Sequence, residues 1–182
     1  PQVTSLTLNR LSRRQGVALV ERVTGGKSLP GELLEQMVAK TDGVPLFLEE
    51  VTKAVIESDV LTDEGDRYAL SGPLPPLAIP ATLQDSLVAR LDRLMTPARE
   101  VAQIGAAIGR EFSYELLAAV AQREERELQG ALDQLISAEL VIARGRPPHA
   151  TCIFKHALVG DAAYATLLRS RRQELHTRIA HA

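Results

Sequence analysis

Tryptophan is absent, cysteine occurs once, and aromatic residues make up only 3% of the 182 positions. A lone Cys152 excludes an intramolecular disulfide and any multi-cysteine zinc site, and it fits a reducing, cytoplasmic setting. With so few rings the core has to be aliphatic, built from Leu, Val, Ile and Ala, which favours helices over a large sheet. No apolar run approaches the roughly 18–20 residues of a membrane span, and no basic segment followed by an apolar one marks a signal peptide, so no membrane partner is expected. An excess of positive charge is missing too. The formal net charge is −2, whereas a protein held to nucleic acid by bulk phosphate attraction carries a basic surplus. No Gly-x-Ser-x-Gly elbow occurs, and His176 and His181 lack the glutamate of the zinc-binding helix, so neither a catalytic residue nor a metal site is expected.

What is present is an ordinary globular balance of 45% apolar and 24% charged residues, enough for one domain or two small ones. The chain opens on Pro1 and closes inside a helical pattern at Ala182, and is expected to be a segment of a longer protein. Ser5, Leu6, Thr7 and Leu8 read as a strand end. Ser12 can then cap a helix that Gly25-Gly26 stops. A second helix follows Pro30 and closes at Asp42-Gly43, and a third runs from Pro45 through Phe47, Val51 and Val55. These three form a small helical bundle over residues 1–59. Residues 73–80 hold four of the ten prolines, which exclude helix, and 60–81 is expected to be a linker.

From Thr82 the helical period returns with Leu83, Leu87, Leu91 and Leu94. Further helices are expected from Thr96-Pro97 to Gly109, from the Ser113 cap through Val120, and over 124–139 with Leu128, Leu132, Leu135 and Ile136 on one stripe. Val and Ile then flank a turn-rich loop in a hairpin, Leu140–Ala143 with Thr151–Phe154. Two strands alone are unstable and must pack on the helices before them. A helix trio followed by a hairpin is the layout of a winged helix, so the fold class expected is mainly α, a bundle followed by a winged-helix domain with one hairpin over 82–182. Helical segments at 157–168 and 173–180 finish the chain.

Thr24-Gly25-Gly26-Lys27-Ser28 contains the Gly-Lys-Ser of a phosphate-binding loop. That loop also needs an earlier glycine, where Glu21 stands, and a helix starting at the lysine, where Leu29-Pro30 intervenes. It reads as an ordinary turn, and the chain lacks a triphosphate cradle of its own.

Asp42-Gly43-Val44-Pro45-Leu46-Phe47 resembles the Gly-x-Pro motif in the helical subdomain of STAND-type P-loop ATPases, signalling regulators related to MalT-like activators and NB-ARC proteins. Phe154-Lys155-His156-Ala157-Leu158, continuing to Asp161-Ala162-Ala163-Tyr164, is similar to the histidine motif of their winged helix, with Ala157 where the NB-ARC form has aspartate. Ile79-Pro80-Ala81-Thr82-Leu83-Gln84 and Ala106-Ala107-Ile108-Gly109-Arg110-Glu111-Phe112 are similar to bacterial multidomain proteins with an adenylate/guanylate cyclase domain ahead of the ATPase module. The resemblance implies a lid subdomain and winged helix that close over ATP or ADP, with Mg, held by a P-loop domain upstream. It implies that Pro45, in the turn formed by Gly43, packs on adenine and ribose, and that His156 reaches the β-phosphate of ADP. The partners implied are that P-loop domain and an effector domain of the same chain, a nucleotide cyclase among them; the fragment alone would bind no nucleotide tightly. The alternative is a winged-helix DNA-binding or protein-interaction module of a transcription regulator. Against DNA, residues 123–139 set two arginines against Glu124, Glu125, Glu127, Asp133 and Glu139, a sign that phosphate repels. The basic residues lie instead at Arg144, Arg146 and His149, and at Arg169, Arg171 and Arg172.

Overall fold

A computed structural model describes residues 9–73 and 79–182. Among them are nine helices and two small antiparallel sheets, in keeping with the mainly helical expectation. The chain divides into two compact units, residues 1–86 and 87–182. The expected strand end at Ser5–Leu8 lies outside the described residues.

The first unit holds α1 (Arg13–Val23), α2 (Gly31–Lys40) and α3 (Pro45–Ile56). Ser12 caps α1 through a reciprocal pair of bonds with Gln15, which satisfies donors a helix start leaves orphaned. Gly16 brings α1 close to its neighbours: a Cβ there would lie 3.3 Å from Leu48 and 3.4 Å from Val38. Val20, Leu33, Met37, Leu48, Val51 and Val55 fill the aliphatic core. Within the expected linker over 60–81, residues 61–70 form a hairpin that was not expected. Its strands β1 (Leu61–Asp63) and β2 (Tyr68–Leu70) pair Leu61 with Leu70 and Asp63 with Tyr68, and Leu61, Tyr68 and Leu70 pack on that core. The turn closes because Asp63 Oδ1 accepts the Gly65 N–H at 2.9 Å while Gly65 takes a φ of 96°, a conformation open to glycine.

Helix α4 (Leu83–Arg93) starts at a second capping box, Thr82 and Asp85 each accepting the other's backbone N–H at 3.0 and 3.1 Å. The division between the units falls within it. The second unit continues with α5 (Thr96–Ile108), β3 (Glu111–Ser113), α6 (Tyr114–Ala121), α7 (Glu125–Ser137), β4 (Val141–Arg144), β5 (Thr151–Phe154), α8 (Ala157–Ala165) and α9 (Arg169–His181). Helix α5 is the hub, packing against α6, α7, α8 and α9. The strands run antiparallel in the order β3-β5-β4, with Cys152 opposite both Phe112 and Ala143. Strand β3 was not expected. Three residues are too few to show a period of two, and Ser113 also serves as the cap of α6, accepting the Leu116 N–H at 3.1 Å. Phe112 and Phe154 tilt against each other with centroids 5.6 Å apart. The Phe112 ring fits because residue 105 is glycine: a Cβ there would lie 2.7 Å from its Cζ.

Candidate functional site

The Gly-x-Pro turn lies in the first unit, between α2 and α3. Gly43 sits at a φ of 69°, and a Cβ on it would lie 2.5 Å from the carbonyl oxygen of Leu11. Its own carbonyl accepts the Leu11 N–H at 2.8 Å. Glycine is therefore demanded here by the backbone, which ties the segment before α1 to the start of α3. Asp42, at a φ of 49°, pairs with Arg10. Pro45 opens α3, where its missing N–H costs nothing because the first donors of a helix have no intrahelical partner. Both Val44 and Pro45 are exposed, so the turn presents a rigid apolar face.

The Gly-Lys-Ser segment is a turn, as expected. Thr24 donates its hydroxyl to the carbonyls of Glu21 and Lys27, and Lys27 Nζ reaches Asp63 at 2.5 Å with the Tyr68 ring 5.3 Å away. The bond from Lys27, followed by the Gly65 N–H, holds the Asp63 carboxyl below its ordinary value; the same bond raises Lys27. The lysine is committed to the hairpin.

His156 belongs to the second unit, at the junction of β5 and α8. It occupies the N-cap position with extended backbone, and its carbonyl accepts the Val159 N–H at 3.0 Å. The imidazole makes no capping bond. Its Nε2 is buried and has no hydrogen-bond partner among the described residues, so the plain explanation of a histidine that caps a helix does not apply to the side chain. Gly43 and Pro45 share one turn; His156 is placed by separate elements of the other unit.

The basic positions are largely engaged. Arg171 and Arg178 both pair with Glu174, whose carboxyl is lowered first by the bond from Arg171. Arg172 lies 4.5 Å over the Tyr164 ring, and the Tyr164 hydroxyl meets His176 Nε2 at 3.0 Å. Arg144 and Arg146 are exposed on the β4–β5 hairpin, and His149 Nδ1 stands 3.6 Å from Glu115. Cys152 is buried, and desolvation pushes its thiol up, as suits a core residue.

One feature escaped the sequence reading. A cavity of about 460 Å³ opens between α7 and the β4–β5 loop, lined by Tyr114, Glu125, Asp133 and Arg146 among others. Tyr114 is 4% exposed and its hydroxyl is buried without a hydrogen-bond partner among the described residues. Periodicity marks residue 114 only as the first position of a helix.

No family model matches this chain. It is 34% identical over 139 residues to a protein of Rhizobium meliloti that is described as uncharacterized. The match covers 75% of this chain and 13% of the relative. The chain thus spans a small part of the length of the relative it matches. Among the described residues no helix is long and apolar enough to cross a membrane.

Proposed function

We propose that this chain is the regulatory lid and winged helix of a STAND-type nucleotide-dependent signalling switch in the cytoplasm. The second unit runs helix, strand, helix, helix, strand, strand from α5 to β5 with sheet order β3-β5-β4, an order that supports the winged-helix reading. A three-helix unit with an exposed Gly-x-Pro turn precedes it. The small share of the relative that the chain spans fits a module of a larger protein.

The observation that carries the proposal is the unsatisfied Nε2 of His156. A buried polar atom without a partner costs about 1–3 kcal/mol, a poor arrangement for a residue whose only task is to begin a helix. The resemblance makes the β-phosphate of ADP the partner proposed for it. In the parent protein the P-loop domain supplies the phosphate cradle and Mg, Pro45 covers the base, and His156 stabilises the closed state. A ligand shifts such an equilibrium only by contacting the two states differently, and a histidine on a mobile domain provides that difference. The states gate an effector of the same chain, a nucleotide cyclase in this proposal.

In the parent protein, His156→Ala is expected to speed ADP release about tenfold, the scale of one hydrogen bond to a charged group. Stopped-flow release of a fluorescent ADP analogue measures it, and an unchanged off-rate removes His156 from the site.

A further inference from the structure

The cavity beside the β4–β5 hairpin differs from the nucleotide motifs in both place and chemistry. Its helix wall carries Glu125 and Asp133, two turns apart on one face of α7, and Gln129 between them donates to Glu125 Oε1 at 3.0 Å. That bond holds one carboxylate in place. Asp133 has neither an ion-pair nor a hydrogen-bond partner among the described residues. The hairpin wall carries Arg146, also without a partner among the described residues. Leu132 and Ile136 supply apolar lining between the charged walls, and Ile136 is 38% exposed. The Tyr114 hydroxyl, buried and unbonded, stands at the same cavity. A volume of about 460 Å³ falls within the roughly 300–1,000 Å³ of small-molecule sites.

Each wall selects a different charge. Carboxylates on α7 favour an ammonium and disfavour nucleic acid. The guanidinium on the hairpin favours a carboxylate in the forked geometry suited to it. The aliphatic lining favours an apolar body, and the tyrosine hydroxyl is a polar group in need of a partner. We infer that the groove between α7 and the β4–β5 hairpin is a binding site for a small zwitterion with an apolar body, the chemistry of an apolar or aromatic amino acid. Its ammonium lies against Glu125 and Asp133 and its carboxylate against Arg146. The site uses residues of the second unit only and does not rest on the nucleotide reading, so each stands or falls on its own readout.

The test is an amide NMR titration of the 182-residue chain with L-phenylalanine, phenethylamine and hydrocinnamate, the last two lacking the carboxylate and the ammonium in turn. Phenylalanine is expected to shift Tyr114, Gln129 and Arg146 saturably and to bind at least about threefold tighter than either truncated probe, the scale of one exposed ion pair. Asp133→Asn combined with Glu125→Gln should abolish the preference over hydrocinnamate, and Arg146→Gln the preference over phenethylamine. These positions are exposed, and the same spectra report that each variant is folded. Absence of saturable shifts overturns the assignment, as does equal affinity for the three probes in the unaltered chain.

Discussion

Residue 43 illustrates how a motif position can be fixed by the backbone before any ligand is considered. A left-handed φ costs an L-residue roughly 1–2 kcal/mol, and here a Cβ would also press on the Leu11 carbonyl. Gly43→Ala is therefore expected to destabilise the first unit by more than about 2 kcal/mol, measured as a lowered urea midpoint. An unchanged midpoint would mean the turn can relax by shifting Leu11. Any effect of that variant on the nucleotide binding proposed for the parent protein would act through the fold, whereas Pro45 and His156 are side-chain tests of that proposal. His156 also shows the limit of reading residues singly. The sequence places it at the end of a strand and before a helix, where it is found, but an unsatisfied Nε2 depends on packing that no spacing reveals.

Among the elements, helix boundaries were the most legible because caps are local. Ser12, Thr82 and Ser113 bond to backbone N–H groups within three residues of themselves, so the residue type announces the geometry. The hairpin over 141–154 was legible for a similar reason, with Val and Ile flanking a Gly-Pro loop. Strands β1, β2 and β3 were not, since each has three residues and takes its stability from partners elsewhere in the chain. The β1–β2 hairpin is held by Lys27 from the α1–α2 loop, which gives it a pH dependence whose sign follows from the shifts. Asp63 is depressed, so its contribution is present above the ordinary carboxylate value of 3.8 and is lost as pH falls through the lower folded value. Lys27 is raised, so its contribution is present below 10.5 and is lost as pH rises through the higher folded value. Carboxyl-detected NMR should find Asp63 titrating below 3.8, and Lys27→Met should bring it back towards that value. An unmoved midpoint in the variant would leave the Gly65 N–H as the cause.

For the whole molecule, the distribution of charge matters more than its total. The helix that a DNA-reading winged helix would lay in the major groove is α7, and its first turn carries Glu125 and Glu127, while Arg171 and Arg178 of α9 are shared with Glu174. The intact chain is expected to show no binding to a random duplex by fluorescence anisotropy at about 50 mM salt, where electrostatic contacts are strong. A salt-steep isotherm would instead make nucleic-acid recognition the leading function and move attention to Arg144 and Arg146.

The contact between Gly105 and Phe112 also limits which sequences this unit can accept. A single hydrogen stands where a methyl group would collide with the ring, so what residue 105 can be depends on what residue 112 is. A larger residue at 105 requires the Phe112 ring to move or to give way to a smaller side chain. A change at 105 made alone would therefore press on the sheet from α5, the helix against which α6, α7, α8 and α9 are packed.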